Sequence, residues 1–252
     1  MPRWFTSLLV AILVTAIPAA AETKEVTIRW HGQSFFELET SQGTRVVFDP
    51  HAIDAYGRKT VKADVVLISH FHNDHTQMSA IENADKVKVF QGLKIERRRE
   101  EWNDIDEKFR DVRIRTVGVY HDLSQGMERG KNAVFIVEAD GMRFVHLGDL
   151  GHELTPHQLK AIGPVDVLMI PVGGVYTLNG SEAKEVVQQL KPSKYILPMH
   201  YGTKVFDAVL PVDEFLDEED PQNIRKSLLT NKLVVDGNFK PAAPVIVILG
   251  WK

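Results

Sequence analysis

The chain of 252 residues contains no cysteine. That absence excludes disulfides, a thiolate nucleophile, a soft thiolate metal ligand and a lipid-modified cysteine near the N-terminus. Nor does one sign of charge dominate. Its 34 acidic and 30 basic residues leave a formal net charge of -4, which disfavours nucleic acid as a partner, because a phosphate backbone requires a basic surface. The apolar run from Trp4 to Ala16 falls short of the ~20 residues a bilayer span needs.

That run has another reading. Arg3 is its only flanking charge, and Ala19 and Ala21 form a small-residue cleavage pattern just before Glu22. Residues 1–21 are therefore expected to be a secretory signal peptide, leaving residues 22–252 as one domain that is periplasmic or secreted, with no stable membrane anchor after cleavage. At 44% hydrophobic content, that length suits a single substantial core.

Alternation of apolar and polar residues predicts strands at Val26–Trp30, Ser34–Leu38 and Arg45–Asp49, with a turn at Gln42-Gly43. Asp64–Ser69 is almost wholly apolar, as a strand buried on both faces should be. Further strands are predicted at Val87–Phe90, Val112–Tyr120, Asp166–Pro171, Tyr195–Pro198 and Val245–Leu249, and a hairpin joins Ala133–Ala139 to Met142–Leu147 across Asp140-Gly141. Helices are predicted after Thr76, from Thr155-Pro156, from Ser181 to Leu190 and after Asp220-Pro221. Arg97, Arg98 and Arg99 lie among glutamates and read as a solvated face rather than a phosphate site. The pattern predicts an α+β fold of two sheet-plus-helix halves, about 22–125 and 126–252, packed as a four-layer αββα sandwich.

The chemistry concentrates in SHFHNDHT, residues 69–76, at the end of the buried strand. His70 and His72, two apart on extended chain, face one side and can share an ion. Asp74 and His75 lie past the turn and face a second ion, since four consecutive-chain ligands on one ion would be strained. His121, Asp149 and His200 each follow an apolar strand, so they can converge on the same edge. By donor count, His121 joins His70 and His72, His200 joins Asp74 and His75, and the two oxygens of Asp149 allow it to bridge.

These segments, HxHxDH at His70–His75, the lone His121, HLGD at His146–Asp149 and PMHYGT at Pro198–Thr203, resemble those of the metallo-β-lactamase fold hydrolases. Within that family the chain resembles the branch containing ascorbate-6-phosphate lactonase-like proteins. The resemblance implies His70, His72, His121 and Asp149 on one ion, and Asp74, His75, Asp149 and His200 on the other. It also implies a catalytic role for Asp74 in orienting hydroxide or shuttling a proton. Two divalent ions about 3.5–4 Å apart would lower the pKa of a bridging water toward ~7 and make it the nucleophile. Zn2+ is the favoured metal, with Mn2+ and Fe2+ as alternatives. The expected activity is metal-dependent hydrolysis of an ester, lactone or phosphoester in a small-molecule substrate.

Two rivals are a β-lactamase and a non-catalytic exported metal-binding protein. An oxygen-reducing di-iron protein is disfavoured, because His72 stands where that group commonly has glutamate and no flavin domain is attached. His31 and His51, at strand ends, are expected either to line the mouth or hydrogen-bond a ligand, or equally to be structural or surface residues, and Asp49 to brace a ligand histidine. His146 is expected to be buried, and His152 and His157 exposed. Tyr176 and Tyr201 are candidate substrate contacts.

Overall fold

In β1 (Glu25–Trp30) every second side chain is buried, so Val26, Ile28 and Trp30 form one face of the strand. The structure is a computed structural model and describes residue 1, residues 24–57 and residues 59–252. The expected signal peptide, apart from its first residue, lies outside the described residues. Strands β2 (Phe36–Glu39) and β3 (Arg45–Phe48) extend β1 in antiparallel fashion. The wholly buried β4 (Val65–Ile68) then joins β3 in parallel, and β5 (Lys88–Gln91) follows.

Beyond them, β6 (Leu93–Glu96) and β7 (Arg99–Trp102) pair only with each other, and the charged hairpin they form carries the three arginines on exposed chain. A meander of β8 (Asp106–Phe109), β9 (Val112–Tyr120), β10 (Lys131–Ala139) and β11 (Met142–His146) comes next. Helix α1 (Pro156–Ile162), β12 (Val167–Pro171), α2 (Gly180–Leu190) and β13 (Tyr195–Met199) complete parallel crossovers. Both helices open on capping boxes, Thr155 with Gln158 and Asn179 with Glu182, each cap contributing about 1 kcal/mol. The short α3 (Asp213–Leu216), β14 (Ile224–Ser227), β15 (Lys232–Asp236) and β16 (Val245–Leu249) end the chain.

Two sheets result. One has the order β15-β1-β2-β3-β4-β5 and the other β14-β16-β13-β12-β11-β10-β9-β8. Their inner faces share one core, in which Trp30, Phe36, Phe48 and Leu67 of the first meet Phe135, Phe144 and Met169 of the second. Helix α2 buries Ala183, Val186 and Leu190 against that assembly.

The two-sheet α+β sandwich is the expected one, and it differs from the reading in several local ways. The boundary between halves is crossed: β8 and β9 belong to the second sheet, and β15 returns to the first. The helix expected after Thr76 is only a 3₁₀ turn, Met78–Ala80, and that after Asp220 is another, Pro221–Asn223. Neither segment carries an apolar stripe long enough to hold an α-helix down. Consequently the outer face of the first sheet, Val47, Val66 and Ile68, is covered by Ala63, Ala80, Ile81 and their turns, where the second sheet has full helices.

This topology places the C-terminal ends of strands together. Strands β9 and β11 are each antiparallel to β10, so they run the same way as each other, and β12 and β13 run parallel to β11. His121, Asp149 and His200 follow β9, β11 and β13, while Asp49 and His70 follow β3 and β4 of the other sheet.

Candidate metal centre

The ligand atoms of His70, His72 and His121 lie within 4.8 Å of one another, as do those of Asp74, His75 and His200, and those of His70, His75 and Asp149. All seven residues proposed from sequence therefore reach one edge of the sandwich. His70, His75, His121, Asp149 and His200 are buried, His72 is exposed and Asp74 is half-exposed, so the last two stand at the wet mouth.

Asp149 sits at the centre. Its Oδ2 is 3.2 Å from Nε2 of His75, of His121 and of His200, and 3.9 Å from Nε2 of His70. The chain reaches this position through Gly148, whose φ of +55° is costly for any side chain. A Cβ there would also lie 2.4 Å from Asn132 Oδ1. Asn132 is buried and tied at both ends: its Nδ2 donates to Leu147 O at 2.8 Å, and its Oδ1 accepts the Asp149 N–H at 3.3 Å. Ser34 Oγ donates to Asp149 Oδ1 at 3.4 Å. His200 adopts φ 50°, a strained value for a residue with a side chain, and an added Cβ on Gly173 would stand 2.1 Å from its carbonyl oxygen.

A second carboxylate fixes the imidazoles from behind. Asp49 Oδ1 accepts the Ser69 N–H at 2.7 Å, and its Oδ2 accepts both Ser69 Oγ–H at 2.7 Å and His75 Nδ1–H at 2.9 Å. With the Ser69 proton committed to Asp49, Ser69 Oγ accepts from His70 Nδ1 at 2.9 Å. Both histidines are thereby held in the tautomer whose Nε2 lone pair faces the centre.

The electrostatics suit cations. Burial, reinforced by His75, pushes His70 well below the usual imidazole range. Burial also opposes charge on His75, but the Asp149 and Asp49 carboxylates override it and hold that imidazole well above its usual range. Burial likewise opposes ionisation of Asp149, yet His200 and His75 keep its carboxyl well below the ordinary value. His75 Nε2 is fully buried and faces Asp149 Oδ2 at 3.2 Å, and His70 Nε2 stands 3.0 Å from His72 Nδ1. Imidazole nitrogens facing each other and a shared carboxylate, without sulfur, are a donor set that fits divalent ions of the zinc, manganese or iron type.

Of the other histidines, His146, His152 and His51 bond backbone groups, while His31 is buried with Nε2 3.5 Å from Glu37 Oε2 and outside the cleft lining. His146 is buried, donating from Nε2 to Ser34 O at 2.9 Å and accepting the Gly148 N–H on Nδ1 at 3.1 Å. His152 accepts the Tyr120 N–H and is half-buried, against the expectation of exposure, because its loop packs on the end of β9. His157 is exposed. His51 bonds Gly32 O and the Ile53 N–H at 3.1 Å each, and burial pushes its pKa down to about 4. His51 in the unfolded chain titrates near ~6.5, so between that value and about 4 the unfolded state binds the extra proton. Stability from this group is full above the upper limit and falls as pH drops through the window. Denaturation of metal-free protein at pH 7 and pH 4.5 is expected to show His51 contributing a loss of roughly 2–3 kcal/mol, with an NMR titration locating its ring protonation near the lower end. Tyr201 is buried, stacks on Trp30 at 5.3 Å and lies outside the cleft lining.

A two-sheet sandwich with histidines and aspartates converging on one strand-end edge defines the class of metal-dependent hydrolases built on that scaffold. The family profile described as Beta-lactamase superfamily domain matches residues 27–200, and the chain belongs to this superfamily as a metal-dependent hydrolase of the metallo-β-lactamase fold. A UPF0173 metal-dependent hydrolase of Thermococcus kodakarensis is 30% identical over 201 residues, covering 71% of this chain and 85% of that one. A Thermotoga maritima structure described as a candidate Zn-dependent hydrolase of the metallo-β-lactamase superfamily is 36% identical. It matches with a TM-score of 0.66 over 89% of this chain and 98% of its own. Igni18, a metallo hydrolase of Ignicoccus hospitalis, shares the fold at 18% identity, with a TM-score of 0.60 over 86% of this chain and 100% of that one.

Sequence reasoning left out Ser34, Ser69, Asp122, Arg129 and Asn132. Only the first two carry a signal, since Ser69 opens the ligand motif and Ser34 follows a glycine-containing strand end. Asp122 winds its own loop, and the partners of Arg129 and Asn132 come from segments farther along the chain.

Proposed function

We propose that the chain is a dinuclear metal-dependent hydrolase that cleaves an ester, lactone or phosphoester bond of a small molecule. The observation supporting this is the position of Asp149 Oδ2, 3.2 Å from imidazole nitrogens on three different segments. A buried anion shared by two donor groups is what neighbouring cations need between them. His70, His72, His121 and Asp149 would hold one ion, and Asp74, His75, Asp149 and His200 the other.

When bound, such ions supply Lewis acidity, lowering the pKa of water toward ~7 and polarising the oxygen of the scissile bond. The chain supplies the rest. Asp49 and Ser69 hold His70 and His75 in the donating tautomer. Asp74, half-exposed 3.6 Å from His75 Nε2, is positioned to orient water and pass a proton to solvent. The donor set and the description of the Thermotoga relative favour zinc. Action outside the cytoplasm, in the periplasm or medium, is part of the same proposal, and the signal-like pattern of residues 1–21 supports it.

The test is a panel of a lactone, a phosphodiester and a β-lactam, assayed with metal-replete protein, after chelation and after metal restoration. Turnover of the lactone or phosphodiester that disappears with chelation and returns with metal is expected. Turnover of the β-lactam alone moves the protein to its β-lactamase rival, and metal binding without any turnover moves it to the non-catalytic one.

A further inference from the structure

Arg129 and Tyr176 complete a cleft of about 300 Å³ whose remaining lining is metal-donor candidates. Among those lining residues Arg129 carries the one permanent positive charge. It arrives there through the loop after His121. The buried Asp122 carboxylate accepts backbone N–H groups from Ser124 and Gly126 at 2.8 Å, Glu128 at 3.2 Å and Arg129 at 2.7 Å. The loop is thus wound around one anion and returns Arg129 to the cleft.

Opposite stands the loop after β12, where Val175 adopts φ 60° and Tyr176 leaves 45% of its surface exposed. The Arg129 guanidinium lies 5.0 Å from the Tyr176 ring centroid and donates from Nη2 to Val175 O at 3.0 Å. Those contacts use one of five N–H donors and leave the charge uncompensated, since no carboxylate pairs with the guanidinium among the described residues. A half-buried, pre-oriented and unpaired arginine on a cleft wall is built to take a planar or tetrahedral anion through two parallel hydrogen bonds.

We infer that Arg129 is a specificity-determining residue, and that the substrate carries a carboxylate or phosphate group, separate from the bond that is cleaved, which docks on Arg129 against Tyr176. This rests on the hydrolytic reading of the centre and adds its substrate class. A cleft of this size, at the small end of ligand sites, fits a small organic anion.

The experiment is calorimetric titration of metal-loaded full-length protein at low salt with succinate, inorganic phosphate and neutral succinamide, with metal content measured for every preparation. At least one of the two anions is expected to bind the wild type about 10-fold or more tightly than succinamide. Arg129→Ala should abolish that preference at unchanged metal content, and Arg129→Lys should keep part of it. The anion that loses more affinity identifies the group as carboxylate or phosphate. Should Arg129→Ala not fold, Arg129→Gln, which keeps a donor for Val175 but no charge, makes the same comparison. Equal anion affinity in wild type and charge-removed variant would show that Arg129 only staples two loops, and would overturn the proposal. If no panel substrate is hydrolysed while anion binding still depends on Arg129, the reading of bond cleavage fails and the anion subsite stands.

Discussion

Replacing Asp149 with alanine is expected to leave a folded protein that has lost bound metal and at least about 10³-fold of its hydrolysis, the scale on which removal of a major charge-stabilising element acts. The size follows from position. Asp149 Oδ2 is the one carboxylate oxygen that approaches His75, His121 and His200 together, so its removal leaves both donor groups without their shared anion. Its backbone N–H still meets Asn132 Oδ1, which is why the fold should survive. Circular dichroism and metal content, read beside the assay, separate loss of the site from loss of structure. Asp149→Ala protein with wild-type metal content would remove the residue from the centre.

Asp49→Ala is the second large effect, expected to weaken metal affinity by about 10- to 100-fold although Asp49 is not a proposed ligand. Its carboxylate binds Ser69 twice and His75 once, and through Ser69 it sets His70. Without it, His75 and His70 can each rotate or take the other tautomer, and the two Nε2 lone pairs no longer point at the centre. Competition against a chelator of known affinity measures the loss. Asp49→Asn, which keeps the acceptor oxygen but not the charge, should fall between wild type and alanine. Wild-type affinity in both variants would show that the histidines orient themselves.

Much of this centre was legible in the sequence because ligands that follow apolar strands leave a strong trace. SHFHNDHT follows Val65–Ile68, and His121, Asp149 and His200 come within three residues of β9, β11 and β13. Period-two alternation and the Asp140-Gly141 turn located the sheets for the same reason, since burial of one strand face dictates residue type. What alternation does not encode is the partner of each strand. β15 crosses back to lie beside β1, and the charged β6, β7 and β8, in which Leu93 alone is buried, have no alternating buried face to leave a pattern. Arg129 was invisible for a related reason. Its meaning depends on Asp122 winding a loop and on Val175 and Tyr176 arriving from a segment 46 residues away in the chain. The outer turns over Val47 and Val66 read as a helix because Thr76 is a good cap, but a cap without an apolar stripe holds only a 3₁₀ turn.

The central claim, two ions sharing Asp149, is tested most directly by elemental analysis of purified protein after exposure to zinc, manganese or iron and removal of loosely held metal. The account predicts about two equivalents of one divalent metal per chain in the wild type, and a loss of both in Asp149→Ala. A single tightly held equivalent that persists in Asp149→Ala, or no metal at all in the wild type, would contradict it.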